Sequence, residues 1–119
     1  MATGRYKKSF LGDLEQMILL AILRLEDGAH APDVAKVLEA SAGRTVSRGA
    51  LYTTLNRLEK KGLVHWNVEE VSSFGKPRGG YPKRRFELTE AGVEALRITR
   101  EALTNLSEGL EGTIAGDSR

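Results

Sequence analysis

Basic and small polar side chains that could contact a polyanion lie beside a leucine stripe in residues 43–64, GRTVSRGALYTTLNRLEKKGLV. Leu51, Leu55 and Leu58 recur at helical spacing, which predicts that one face of a helix is buried. The side chains at the start of this helix and on its other faces have no task in a core, so they are the candidates for contacts with a ligand: Ser47, Arg48, Gly49, Tyr52, Thr53, Asn56, Arg57 and Lys60.

The chemistry of these residue types suits a nucleic acid. Arg48 and Gly49 fall in the first helical turn, where free backbone N–H groups and the helix dipole favour a phosphate, and a glycine lets the backbone come close. Asn56 can read adenine through two hydrogen bonds, and the methyl group of Thr53 can contact a thymine methyl. The Tyr52 hydroxyl could bind a phosphate, although its ring could equally pack on the core.

Positive charge is concentrated in two blocks of the chain. Residues 44–61 contain five basic residues and one acid, and residues 71–86 contain five basic residues and no acid. Residues 87–119 contain seven acids and three arginines, so the small total charge of +2 hides a strong segregation. Such blocks are typical of a polyanion-binding surface, and a solvated basic face is the alternative. The cations predicted to position a phosphate backbone are Arg57, Lys60, Lys76, Arg78, Lys83 and Arg84.

Composition limits the other function classes. A chain of 119 residues with 40% apolar and 29% charged residues is predicted to form one small globular domain. It has no apolar run near the ~18 residues of a membrane span and no recognisable signal peptide, so no membrane partner is predicted. The absence of cysteine excludes disulfides and fits a cytoplasmic protein.

Two helices are predicted before the leucine stripe. The first begins with Asp13 as N-cap and Gln16 in capping-box register, and it ends near Gly28. Its middle, residues 17–23 (MILLAIL), is apolar on all sides and must therefore be covered on more than one side. The second begins at Pro32, which suits a first helical turn.

A third helix and a hairpin should follow. Ser47 is the predicted N-cap of the third helix, which ends at Gly62. Residues 63–70 and 84–88 have the composition of strands, and the Gly- and Pro-rich residues 72–83 between them are predicted to form a mobile tip. Which face of the first strand is buried stays open from the pattern.

The last helix carries an apolar stripe that the rest of a small chain cannot cover. Thr89 is its predicted N-cap, and its leucines recur at about seven-residue spacing. A partner helix is the natural cover, so we expect a homodimer without a stable monomer. The predicted interface residues are Leu14, Ile18, Leu96, Leu103, Leu106 and Leu110.

The element order is that of a mainly α fold with a small β-hairpin, a winged helix-turn-helix followed by a C-terminal dimerisation helix. In that fold the third helix can enter the major groove, and the hairpin tip lies along the backbone or minor groove. The predicted organisation is a basic flexible arm (1–11), a DNA-binding winged helix-turn-helix domain (12–88), a dimerisation helix (89–111) and a disordered tail (112–119). The expected partner is double-stranded DNA.

Three stretches of the sequence resemble the PadR-like family of transcriptional regulators. They are residues 11–25 (LGDLEQMILLAILRL), 43–64 and 84–92 (RRFELTEAG), so the similarity covers nearly the whole chain. The length is similar to that of the subgroup with a single C-terminal helix. This resemblance implies a dimeric winged helix whose last helix pairs with the first helices of the other subunit, and a repressor that binds a pseudo-palindromic operator.

Other functions have less support. Two histidines without ligand spacing, no cysteine and scattered acids predict neither a catalytic site nor a metal site. No cofactor is predicted. Some members of the family bind planar compounds between the dimer's helices, but Trp66, the one tryptophan, falls in the first strand, so a small-molecule effector stays open. The main alternative is a winged-helix module that binds protein without specific DNA binding.

Overall fold

The computed structural model describes residues 10–69 and 83–116. Its elements, in chain order, are α1 (Asp13–Leu25), one 3₁₀ turn (Glu26–Gly28), α2 (Ala31–Ala42), α3 (Arg48–Lys60), β1 (Val64–Glu69), β2 (Lys83–Leu88), α4 (Glu90–Ser107) and α5 (Glu111–Ile114). β1 and β2 form a two-stranded antiparallel sheet. The predicted class, mainly helical with one hairpin, is confirmed.

The core surrounds α1, which contacts α2, α3, α4 and β2. Ile18, Leu19 and Ile22 of α1 are almost completely buried. This position explains why the middle of α1 is apolar on several sides, because different elements cover different sides. The other large buried side chains come from α2, α3, the hairpin and α4: Val34, Leu38, Leu51, Leu55, Leu58, Val64, Phe86 and Leu96.

The N-cap of the first helix is one residue earlier than predicted. Gly12, and not Asp13, is the N-cap, and the Glu15 carboxylate accepts the Gly12 backbone N–H at 2.9 Å. Glu15 therefore has the capping role that the sequence assigned to Gln16. The two readings differ because acidic and amide side chains follow one another here, and spacing alone does not separate them.

The residue before this cap belongs to the core. Leu11 is buried, and its backbone N–H donates to Thr99 Oγ1 of α4 at 3.1 Å. The predicted flexible arm, residues 1–11, therefore extends one residue too far, since Leu11 is anchored and Phe10 is exposed. Residues 1–9 lie outside the described part of the chain.

Two glycines end helices where the chain must turn. Gly43 follows α2 with φ 64° and Gly62 follows α3 with φ 77°, a backbone region that favours glycine. After Gly62, the Leu63 N–H donates to the Leu58 carbonyl at 2.9 Å, which closes the end of α3. The predicted end of the third helix at Gly62 is confirmed.

The hairpin register settles which strand face is buried. Trp66 pairs with Phe86 and Val68 with Arg84, so these side chains share one face with Val64. That face is buried at Val64 and Phe86 but exposed at Val68, because the hairpin runs out beyond the core. The Phe86 N–H donates to the Ala29 carbonyl at 2.9 Å, so the base of the hairpin is fixed to the turn before α2.

The junction between the hairpin and α4 is a close backbone contact. Thr89 Oγ1 accepts the Gly92 N–H at 3.0 Å and donates to the Gly62 carbonyl at 2.7 Å. A Cβ added at Gly92 would overlap with the Leu63 carbonyl oxygen. Thr89 is the predicted N-cap, and this contact explains why a glycine follows it three residues later.

The C-terminal helix ends earlier than predicted. α4 stops at Ser107, and Gly109 with φ 84° begins a turn that leads into the short α5. Leu110 therefore lies between the two helices and not within one continuous helix. Of the predicted disordered tail, residues 112–116 belong to α5 and the turn after it, and residues 117–119 are not described.

Candidate nucleic-acid interface

The start of α3 is built as the sequence predicts. Ser47 Oγ accepts the Ala50 N–H at 3.1 Å, so Ser47 is the N-cap. Arg48 and Gly49 occupy the first turn and are exposed, and no atom lies within 4 Å of a Cβ built at Gly49. The backbone at this helix start is therefore open to a ligand.

The outer face of α3 is polar and reaches solvent along its whole length. Leu51, Leu55 and Leu58 are buried on the opposite side. The exposed side chains of α3 include the predicted contact residues Arg48, Thr53, Asn56, Arg57 and Lys60, and also Ala50 and the acid Glu59. The structure thus brings the predicted contact residues of α3 to one accessible surface, which we call the α3 face.

Tyr52 differs from the other predicted contact residues of α3. Its side chain is half-buried and packs against the core. The structure therefore favours the alternative that the Tyr52 ring packs on the core.

Two of the five cations in residues 44–61 face α1 and not the α3 face. Lys61 Nζ donates to Glu15 Oε2 at 2.9 Å, and Arg44 Nη1 lies 3.8 Å from the sulfur of Met17. The charge of the sequence block is therefore divided between two tasks. Arg48, Arg57 and Lys60 remain on the α3 face.

Glu15 is a buried acid that the sequence analysis did not identify. Burial alone would raise its pKa, but the hydrogen bonds from Lys61 and the Gly12 N–H, and the charge of Arg57, outweigh burial and lower the pKa below its usual value. Because the pKa is lowered in the folded state, the ionised carboxylate stabilises the fold above its unfolded-state pKa, and that contribution is lost as pH falls. Glu15 therefore ties the end of α3 to α1.

The end of the two strands that is farthest from the core adds two exposed cations. Lys83 and Arg84 begin β2, and the Arg84 guanidinium lies 4.6 Å from the centre of the Trp66 ring. The other two cations predicted in the hairpin, Lys76 and Arg78, lie outside the described residues. Arg85, the next residue, pairs with Glu87 at 3.0 Å and is partly buried.

The six residues of the predicted interface divide into two groups. Ile18 and Leu96 are buried in the core of this chain, and Leu14 is partly buried, so Ile18 and Leu96 are not on a surface that a partner could contact. The other three are exposed: Leu103, Leu106 and Leu110, by 51%, 77% and 50%.

Leu20 and Leu23 of α1 are exposed apolar residues that the predicted interface omitted. The apolar stretch 17–23 indicates that some of these residues contact a partner, but the sequence alone does not show which side of the helix is exposed. Leu20 lines a groove of about 330 Å³ between α1 and α2. Its lining is mostly apolar: Met17, Leu20, Ala21, Arg24, Val37, Leu38, Ser41 and Ala42.

Both histidines form polar contacts with acids. His30 Nε2 lies 2.7 Å from Glu69 Oε1, and His65 Nε2 lies 3.2 Å from Glu87 Oε1. Within residues 10–69 and 83–116, no group of three or more His, Cys, Asp or Glu side chains is placed to hold a metal ion. In the same part of the chain, no helix has the length and apolar character to cross a membrane.

A family profile matches residues 19–98, which include α2, α3, the hairpin and the junction with α4, and its description is the transcriptional regulator PadR-like family. The chain belongs to the PadR-like family of transcriptional regulators. None of the curated proteins compared matches it significantly.

Solved PadR-like structures share this fold. A PadR-like transcription factor from Bacteroides fragilis is 28% identical, with 84% of this chain and 88% of that chain covered and a TM-score of 0.64. A PadR-like transcriptional regulator from Bacillus cereus is 22% identical, with 87% and 92% covered and a TM-score of 0.67. A PadR family regulator from Clostridium difficile is 20% identical, with 87% and 100% covered and a TM-score of 0.63. The winged-helix fold is therefore shared across relatives of low identity.

Proposed function

We propose that this PadR-like protein is a homodimeric repressor that binds a pseudo-palindromic DNA operator through the α3 face and the hairpin. The observation that carries the proposal is the α3 face itself. Its side chains are exposed and are basic or suited to base edges, while the leucines of the same helix are buried.

The α3 face separates two kinds of contact. Thr53 and Asn56 are short, exposed and central, so we assign them to base edges in the major groove. Arg57 and Lys60 lie further along the helix and supply charge to the phosphates. The open helix start at Ser47, Arg48 and Gly49 offers backbone N–H groups to a further phosphate.

The hairpin is assigned to the DNA backbone. Lys83 and Arg84 are exposed at the start of β2, and the sequence adds Lys76 and Arg78 in the segment between the two strands. Charged contacts of this kind raise affinity for every DNA sequence and do not select one.

The homodimer rests on apolar surface at both ends of the chain. Leu103 and Leu106 of α4, and Leu110 after it, are at least half exposed, whereas the leucines of the core are almost completely buried. The groove between α1 and α2 is a second, mostly apolar surface; Leu20 lines it, and Leu23 is also exposed on α1. We assign this groove and these α1 leucines to the C-terminal leucines of a second copy, because isolated proteins rarely leave such surfaces uncovered.

Selection of bound fragments from genomic DNA with the purified protein tests the operator. A dimer should recover an inverted repeat whose half-sites are about 34 Å apart, one turn of the double helix. The logarithm of affinity should fall with the logarithm of salt concentration, with a slope of about −0.9 for each neutralised phosphate. A flat salt response would favour the alternative, a module that binds protein.

Two substitutions separate base reading from backbone contact. Asn56→Ala should relax the preference for one base position, whereas Lys83→Ala should weaken binding to all sequences about equally. Arg100→Ala, which removes one charge from the exposed side of α4, is the matched control and should leave both properties unchanged. The same behaviour for Asn56→Ala and Lys83→Ala would contradict this division.

Light scattering at micromolar concentration tests the dimer. Twice the chain mass supports it, and a single-chain mass contradicts it. Repression itself is tested by a reporter gene placed behind the recovered operator: expression should fall when the protein is present, and a rise would identify an activator.

A further inference from the structure

Trp66 of β1 and Arg84 of β2 form a cation–π pair in the part of the hairpin that extends beyond the core. Trp66 faces Phe86 across the sheet, and Arg84 is two residues before Phe86 on the same face. The guanidinium of Arg84 reaches back along the strand to lie 4.6 Å from the centre of the Trp66 ring. The contact therefore runs diagonally across the two strands.

The two members of the pair have different environments. Trp66 is half-buried and packs against the core, next to the almost completely buried Phe86. Arg84 is exposed, and within the described residues no acidic side chain lies within salt-bridge distance of it. The ring is thus held by the core while the charge remains at the surface.

We propose that Trp66 is a positioning residue that holds the Arg84 guanidinium ready for a DNA phosphate, an inference that rests on the proposed DNA-binding function. Stacking uses the flat face of the guanidinium and leaves its in-plane N–H donors for a phosphate. A side chain that is already held loses less conformational freedom when it binds. Trp66 then contributes to affinity without contacting DNA.

Arg85 provides an internal comparison. It is adjacent to Arg84 but points to the other face of the strand, where it pairs with Glu87 at 3.0 Å. Its charge is already neutralised and its side chain is partly buried. Arg84→Met and Arg85→Met thus remove the same charge from neighbouring positions with different expected effects.

The stacking can be tested without DNA, because Trp66 is the only tryptophan. Arg84→Met should change the intensity or the wavelength of tryptophan emission in the free protein, and Arg85→Met should not. The same emission in wild type and Arg84→Met would show that the stack does not form in solution, and it would overturn the proposal.

The positioning role is tested by the salt dependence of DNA affinity, with thermal melts to verify folding. Arg84→Met should reduce the magnitude of the salt slope by about 0.9, the value for one lost phosphate contact. Trp66→Leu should weaken binding about two- to five-fold, the range for an exposed cation–π contact, and should reduce the slope in the same direction. Trp66→Phe, which keeps an aromatic face, should retain the wild-type slope.

The outcomes separate this inference from the function on which it rests. Wild-type protein that binds no DNA overturns both. Wild-type binding with an unchanged slope in Trp66→Leu overturns the role of Trp66 alone, since a purely structural tryptophan would change the melting temperature and not the slope. If Trp66→Leu does not fold, Arg84→Lys replaces it: a lysine keeps the charge without the planar stack, so at least two-fold weaker binding supports the proposal and equal affinity contradicts it.

Discussion

The two halves of α4 have opposite surroundings, although they belong to one continuous helix. In the first half, Gly92 contacts the Leu63 backbone, and Leu96 and Thr99 are buried against the rest of the chain. In the second half, Leu103 and Leu106 are largely exposed. One helix therefore has two different surroundings: its first half packs on the rest of the chain, and its second half exposes apolar surface, which we propose is covered in a dimer.

The largest expected effect is in the first half, at Gly92. Gly92→Ala should destabilise the protein by about 3 kcal/mol, because the added Cβ overlaps with a backbone carbonyl that cannot move without shifting the hairpin. Chemical denaturation measures the change. Gly49→Ala is the control, since its Cβ meets no atom and alanine favours a helix, and it should be neutral or slightly stabilising. Equal melting of wild type and Gly92→Ala would show that the close contact is absent.

The second half should respond through assembly and not through a local clash. Leu106→Glu places a charge on the most exposed leucine of the stripe and should convert the proposed dimer to single chains at micromolar concentration, as measured by light scattering. Asn105→Glu adds the same charge at an exposed position about 100° around the helix from Leu106, off the leucine stripe, and should leave the mass unchanged. If Leu106→Glu remained a dimer, the second half of α4 would not form the dimer interface.

The sequence predicts the starts of α3 and α4 and the end of α3 better than the start of α1 or the phase of an apolar helix. Ser47, Thr89 and Gly62 have the predicted capping or turning roles, because these residue types have strong local preferences. The phase of α1 was not predictable in the same way. In a stretch that is apolar on all sides, no polar residue marks the surface. The pattern therefore predicts Ile18 at an interface although it lies in the core, whereas Leu20 and Leu23 are exposed.

Long-range polar contacts form the other part that sequence patterns do not predict. Glu15 and Lys61 are 46 residues apart, and Leu11 and Thr99 are 88 apart. Nothing in local spacing relates them, because their proximity results from how α1, α3 and α4 pack. The α3 face was predictable for the opposite reason, since one helical period fixes which of its residues point away from the leucine stripe.

A smaller effect is expected at Thr99, the last buried polar residue of the first half. Thr99→Val keeps the shape of the side chain but leaves the Leu11 N–H without its acceptor, which should cost about 1–3 kcal/mol. Denaturant unfolding measures the loss. Thr104→Val makes the same exchange at an exposed position of α4 and should have little effect. If the two variants were equally stable, the boundary between the two halves would lie before Thr99.

The smallest effect is expected on the polar side of α4, where Arg97 lies between Glu94 and Glu101 at 2.6 and 2.9 Å. These contacts raise the pKa of Arg97, which shows that they favour its charged form. All three side chains are more than half exposed, however, and water and salt screen such pairs. Arg97→Gln should therefore leave the melting temperature unchanged at physiological salt, while Gly92→Ala and Thr99→Val lower it. A large decrease in the melting temperature of Arg97→Gln would mean that the polar side of α4 is also buried in the assembled protein. Both halves of α4 would then be covered, and the difference between them would be one of partner and not of exposure.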